Sequence, residues 1–187
     1  MKTTRALVTG GVGFIGSHLA RRLIGGGQFV RVVDNLATGH RRNLEDVMDR
    51  IEFREGDLCD VDVCTAAVDS MEVVYHVAAL PSVPRSMADP IGTRNANVNA
   101  TLNLLEAGRR ASVRQFVYSS SSSAYGDTPM MPKVETAELL PRSAYAAAKL
   151  AGRTPSPKPG LDSSKAWRSV TSTSSGHGRT PAVPMPR

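Results

Sequence analysis

Apolar residues fall in short runs separated by polar, helix-compatible stretches, and the two kinds alternate along the first 150 residues. Arg5-Ala6-Leu7-Val8 is the first run, followed by a glycine turn and a helical pattern from Phe14 to Ile24. Phe29-Val30-Arg31-Val32-Val33 is the second and closes on Asp34. Ile51-Glu52-Phe53-Arg54-Glu55 alternates as a half-buried strand does, and leads into Gly56-Asp57-Leu58. Residues 43–48 and 61–68 read as short helices. Val73-Val74-Tyr75-His76-Val77-Ala78-Ala79 is a buried strand ending in small residues, and Pro81 to Ser86 reads as a stiff loop after it. A helical pattern then starts at or soon after Pro90 and carries Val98, Leu102, Leu105 and Ala107. Gln115-Phe116-Val117-Tyr118 is the fifth strand. Strands alternating with helices predict an α/β fold with a parallel, doubly wound sheet. Such sheets bind ligands beyond the carboxyl ends of their strands, so the residues that end each strand are the candidates for chemistry.

The first of these ends is Thr9-Gly10-Gly11-Val12-Gly13-Phe14-Ile15-Gly16. Glycines at 10, 13 and 16 suit a sharp turn, a bare backbone that a pyrophosphate can approach, and a helix packed close to its strand. The helix N-terminus offers free N–H groups and partial positive charge to phosphate. Asp34 lies 18 residues beyond Gly16. A carboxylate there accepts from both hydroxyls of an adenosine ribose and repels a 2′-phosphate, which favours NAD over NADP.

The other strand ends each carry two readings. Asp57 either accepts from an adenine amino group or caps the helix at 61–68, and both can hold. The loop 35–42 beside the expected adenosine end carries His40, Arg41 and Arg42, which touch a phosphate or are solvated. His76 reads as a packed, hydrogen-bonded histidine rather than a catalyst. Arg85 either meets a substrate phosphate or is solvated. Five serines, Ser119 to Ser123, end the fifth strand and bring hydroxyls to the binding crevice. Tyr145 and Lys149, at i and i+4 in a helix-forming run, share one face. An ammonium near a phenol lowers its pKa from about 10, which makes Tyr145 a general base for an alcohol and leaves Lys149 able to hold a nicotinamide ribose.

Bulk properties narrow this little. The chain has 187 residues, 41% hydrophobic, enough for a domain with a real core. It has no apolar run of membrane-spanning length and no visible signal peptide, so a cytoplasmic protein without membrane partners is expected. Cys59 and Cys64 fit no metal or redox spacing and read as ordinary buried thiols. The net charge of +6 suggests nucleic acid at first sight. Residues 151–187 carry +5 of it, so the folded part is nearly neutral and a nucleic-acid partner is not expected.

Residues 1 to about 152 resemble the extended short-chain dehydrogenase/reductases, and among them the NAD-dependent epimerase/dehydratase family. The likeness rests on residues 9–16, 34–36, 56–58, 76–79, 97–101, 121–126 and 145–149. It implies a Rossmann domain over residues 1–152, with Gly10, Gly13, Phe14, Ile15, Gly16, Asp34, Asn35, Asp57, Leu58, Ala78, Ala79, Asn97, Tyr145 and Lys149 around NAD. It also implies Tyr145 as base, Lys149 as its tuner and Ser121, four residues before Tyr125, as the hydroxyl that bonds the substrate. Ser122, Ser123 and Arg85 would then touch a nucleotide sugar. Dehydratases of the family carry an Asp-Glu pair where this chain has Ser122 and Ser123, so elimination of water is disfavoured. The loop 80–86 resembles that of UDP-hexose 4-epimerases, including those for UDP-N-acetylglucosamine, and implies epimerisation through a 4-keto sugar. A non-catalytic NAD-binding remnant and a sugar-nucleotide reductase or dehydratase of the same family are the alternatives. Family members often form homodimers through helices on one sheet face.

The resemblance ends near Gly152. Of residues 151–187, 21 of 37 are Ser, Thr, Pro or Gly, and prolines at 155, 157 and 159 cannot continue a helix. The stretch 153–187 reads as a low-complexity, disordered tail without the family's last sheet strands or substrate domain. Regrouping the codons from Arg168, as the last base of each with the first two of the next, allows Leu-Arg-Tyr-Phe-Asn-Val-Phe-Gly-Pro-Arg-Gln-Asp-Pro-Gly-Ser-Pro-Tyr-Ala, which resembles the family's sixth strand and the segment after it. The tail is therefore expected to be an out-of-frame translation, and turnover to be impaired.

Overall fold

The computed structural model describes residues 3–127, 132, 134 and 136–152, and the backbone of 166–172. Five strands and their crossovers follow the expected order. Strand β1 is Arg5–Thr9, β2 Phe29–Asp34, β3 Glu52–Glu55, β4 Val73–His76 and β5 Gln115–Ser121. All pair in parallel, and the order across the sheet is β3-β2-β1-β4-β5-β6. Strand order reverses beside β1, which opens a crevice at its carboxyl end.

The helices are α1 (Phe14–Gly25), α2 (Val61–Val68), α3 (Val83–Ala88), α4 (Pro90–Arg94), α5 (Ala100–Arg110) and α6 (Ala144–Ala151). A 3-10 helix covers Arg41–Arg50, and a π turn, Asn95–Asn99, joins α4 to α5. Two apolar layers sandwich the sheet. One gathers Leu7, Val33, Val74, Leu104 and Phe116 beneath α2 and α5. The other gathers Val8, Val30, Val32, Leu23 and Leu44 beneath α1 and the 3-10 helix. Strands β1, β2, β4 and β5 supply residues to the layers, which is why they read as apolar runs, whereas the edge strand β3 alternates.

Three local expectations change. Ser82 accepts from the Arg85 N–H and Pro84 lies in the first turn, so 83–88 is a helix rather than a loop. The cap of α2 is Asp60, whose side chain accepts from the Asp62 N–H, and not Asp57. Cys64 is buried, but Cys59 is exposed and its thiol lies against the Asn95 carbonyl.

The tail expectation also changes in part. Ala166–Ser172 forms a sixth strand, β6, parallel to β5, with Ala166 beside Gln115 and Ser172 beside Ser121. These seven residues contain Trp, Val and Thr and neither Gly nor Pro, which suits a strand, and β5 offers an open row of backbone groups. Residues 153–165 and 173–187, on which the rest of the disorder expectation falls, lie outside the described residues. No helix among the described residues is long and apolar enough to cross a membrane.

Candidate functional site

A cavity of about 520 Å³ lies along the carboxyl ends of β1, β2, β4 and β5. Its lining includes Gly10, Gly13 and Gly16 at the centre, Asp34 and Asp57 towards one end, and Ser121, Tyr145 and Lys149 towards the other.

The glycine turn is built by close approach. Gly10 has φ +67°, and a Cβ there would sit 2.7 Å from both N and Cα of Ala78. A Cβ at Gly16 would sit 2.7 Å from Gly11 Cα, so the helix must begin against the turn itself. Gly13 is the N-cap of α1, no side chain caps that helix, and its first turn holds no acid. Unclaimed N–H groups and the helix dipole therefore point at the cavity. Phe14 and Ile15, both exposed, form its lip.

Asp34 organises the next loop. Its Oδ2 accepts from the Val12 N–H at 3.2 Å and its Oδ1 from the Leu36 N–H at 2.9 Å, which supports Leu36 at φ +60°. Each oxygen retains a lone pair for a ribose hydroxyl. Asn35 donates to Asp57 Oδ2 at 3.0 Å, and the Cys59 N–H donates to Oδ1 at 2.8 Å. That N–H bond holds the Asp57 carboxyl below the usual range. Arg41 lies over the Phe53 ring and pairs with Glu55, so it is not directed at a phosphate.

At the other end, α6 starts where the Ser143 hydroxyl accepts from the Ala146 N–H, and its alanines favour helix. This seats Tyr145 and Lys149 over β5. The Lys149 ammonium donates to the Ser119 carbonyl at 2.9 Å and lies 4.8 Å from the Tyr118 ring centre. It is 3% exposed, and burial pulls its pKa down to about 8. Burial also raises Tyr145, while the Ser121 hydroxyl pulls it the other way. The expected depression of Tyr145 by Lys149 does not appear: burial raises the phenol, and the Ser121 hydroxyl rather than the ammonium opposes it.

The serines do not act as one set. Strand β5 continues to Ser121, so its side chains alternate faces. Ser121 accepts from the Ser123 N–H and donates to the Ser123 hydroxyl, and Ser122 lines the cavity whereas Ser123 does not. Ser120 borders the cavity, but its hydroxyl is buried and has no partner among the described residues. Open glycine backbone and an acceptor carboxylate fit a dinucleotide.

Leu58, Ala78 and Ala79 line the cavity as expected. Asn97 does not: it is 1% exposed, and its amide donates to the Leu80 carbonyl and accepts from the Leu80 N–H. Arg85 is exposed on α3, outside the cavity lining. His76 is packed and hydrogen-bonded, as its place in an apolar strand suggested. Thr9 and Thr101, which hold it, carried no separate signal in the sequence beyond being polar residues among apolar ones.

Among proteins similar to this chain is the UDP-glucose 4-epimerase of Mycolicibacterium smegmatis, 42% identical over 152 residues, which are 79% of this chain and 49% of that protein. The UDP-N-acetylglucosamine 4-epimerase of Methanobrevibacter ruminantium, solved with UDP-N-acetylmuramic acid, superposes with a TM-score of 0.76 at 38% identity. That superposition covers 81% of this chain and 49% of the other. The Thermus thermophilus UDP-glucose 4-epimerase solved with NAD gives 0.74 at 40% identity, covering 80% and 48%. The chain thus spans about half the length of these relatives. The sequence model of the NAD dependent epimerase/dehydratase family matches residues 6–154, and with a doubly wound sheet, a glycine turn and Tyr145 and Lys149 on one cavity, the chain belongs to that family.

Proposed function

We propose that this chain binds NAD and carries the hydroxyl chemistry of a nucleotide-sugar 4-epimerase acting on UDP-glucose or UDP-N-acetylglucosamine. The observation that supports it is one cavity with the glycine turn and Asp34 on one side and Ser121, Tyr145 and Lys149 on the other. When bound, NAD supplies a two-electron acceptor beside the sugar.

Tyr145 acts as phenolate and takes the proton from the C4 hydroxyl. Ser121 donates a hydrogen bond to the same oxygen and fixes its position. Lys149, anchored on the Ser119 carbonyl, supplies a positive charge to the same cavity that Tyr145 lines. The sugar becomes a 4-keto species and turns its other face. Tyr145 then returns the proton to the C4 oxygen as the electron pair removed from C4 is given back on the opposite face, which inverts C4 without net oxidation. The half of the relatives that this chain does not span would select the hexose, so turnover by these 187 residues alone is expected to be low.

The test is conversion of UDP-galactose to UDP-glucose with NAD present, beside NAD binding by calorimetry. Tyr145→Phe should abolish conversion and leave NAD binding intact. Unchanged conversion in Tyr145→Phe would overturn the mechanism. NAD binding without conversion, even in a chain extended to the relatives' length, would favour a non-catalytic NAD-binding protein.

The tail reading is proposed with it: residues from about 153 are an out-of-frame translation. Sequencing the coding DNA from codon 145 past the stop tests this. A downstream open frame beginning Leu-Arg-Tyr-Phe-Asn supports it, and the activity then belongs to the restored chain. The lack of any such frame removes it.

A further inference from the structure

The His76 side chain has no solvent exposure and joins three elements through two threonines. Its Nδ1 lies 2.7 Å from the Thr9 hydroxyl on β1, and its Nε2 lies 2.9 Å from the Thr101 hydroxyl on α5. The directions of these bonds can be worked out. The Thr101 hydroxyl is 2.8 Å from the Asn97 carbonyl, which can only accept, so Thr101 donates there and its oxygen accepts from His76. His76 therefore carries its proton on Nε2, and bare Nδ1 accepts from the Thr9 hydroxyl. The Thr9 oxygen in turn accepts from the Ala78 N–H at 3.3 Å.

The result is a buried chain with every donor aimed one way about the imidazole. It runs from the Ala78 N–H through Thr9 to His76, and from His76 through Thr101 to Asn97. At that far end the Asn97 amide holds both backbone groups of Leu80. Ala78, Ala79 and Leu80 form one wall of the cavity, and Ala78 is the backbone against which Gly10 closes. The wall is gripped at Ala78 and again at Leu80, and His76 connects the two grips.

We propose that His76 is a positioning residue: locked in its Nε2–H form between Thr9 and Thr101, it sets the Ala78–Leu80 wall at the spacing from the glycine turn that the cofactor requires. This deepens the NAD reading and rests on it. Among the described residues, nothing beside the ring supports an imidazolium. Its neighbours are the two threonines and the rings of Phe116 and Tyr118 on β5, at 5.9 and 5.7 Å. The one charged group acting on it is Lys149 on α6, which opposes a second positive charge. Burial and that charge hold the imidazole neutral, with its pKa at about 3.

The experiment is a long-range proton–nitrogen NMR spectrum of the imidazoles in the full chain at pH 6 and 8, with NAD titrated into the same sample. Expected are one histidine in the Nε2–H form that does not change between the two pH values, and an Ala78 amide that shifts with NAD. Thr101→Val, near in shape but unable to accept, should release the tautomer and weaken NAD binding about tenfold, and Thr101→Ser should restore both. A His76 in the Nδ1–H form, or one that titrates between pH 6 and 8, would overturn the assigned relay. A Thr101→Val chain that loses the tautomer yet binds NAD as tightly as the parent would overturn the positioning role. A parent chain with the expected tautomer and no affinity for NAD would instead refute the cofactor reading, and the role at the cofactor with it.

Discussion

The Lys149 ammonium lies 2.9 Å from the Ser119 carbonyl, one strand-end residue away from the orphaned Ser120 hydroxyl. One neutral acceptor cannot replace the water an ammonium loses at 3% exposure, so the lysine remains costly to charge. Its folded pKa of about 8 is below the 10.5 of the free side chain. The unfolded lysine thus binds more protons than the folded one between these values, so the Lys149 contribution to stability should rise as pH increases from about 8 to 10.5, while the raised Cys59, Cys64 and Tyr118 groups act in the opposite sense over the same range. Lys149→Met should remove that rise and stabilise the chain near pH 7 by up to about 3 kcal/mol. Urea unfolding at pH 7, 8.5 and 10 reads this. A stability difference between the parent and Lys149→Met that does not narrow over the range would contradict it.

Gly10→Ala should be costly on two counts. The residue sits at φ +67°, and its new Cβ would meet backbone atoms of Ala78, which cannot rotate away. A loss of about 1–3 kcal/mol is expected, with NAD affinity lost as the wall moves. Thermal unfolding and calorimetry on one preparation would check both.

Asp34→Ala removes the acceptor for the Val12 and Leu36 N–H groups and should destabilise by about 1–3 kcal/mol. Asp34→Asn keeps one carbonyl oxygen and should lie between the parent and Asp34→Ala. If all three chains unfold at one denaturant concentration, the carboxylate does not organise this loop.

Leu104→Ala should cost about 2–5 kcal/mol. Leu104 is fully buried in the layer between α2, α5 and the sheet and does not line the cavity. It therefore serves as the control: lower stability with NAD affinity retained at a temperature where the chain is folded.

Strands β1, β2, β4 and β5 were legible because both sheet faces are covered, so they read as apolar runs, and β3, at the sheet edge, was legible from its alternation. The glycine turn was legible for a related reason. Only close backbone packing, here Gly10 on Ala78, demands that spacing before a helix. What hid was set by contacts distant in sequence. Asn97 looks like a ligand-facing amide, yet Leu80, reached only through the fold, takes both ends of it. Ser119 to Ser121 look alike until β5 is known to run on and turn alternate hydroxyls to opposite faces. The strand at Ala166–Ser172 was masked by the Pro- and Gly-rich residues around it, because composition was read over the whole tail and pairing acts on seven residues.

The π turn at Asn95–Asn99 changes what one continuous helix can touch. The half before it, α4, packs on α6, while the half after it, α5, packs on α2. A regular helix advances about 100° per residue, so winding in one extra residue rotates the two halves out of phase by that much. The turn works as a fixed screw offset. It aims one half at the helix that carries Tyr145 and Lys149 and the other at α2, over the same apolar layer that holds Tyr118. Deleting a single residue there would leave a smoother helix but force a choice between the two partners. A shortening invisible to helix propensity would be felt at both ends of the cavity.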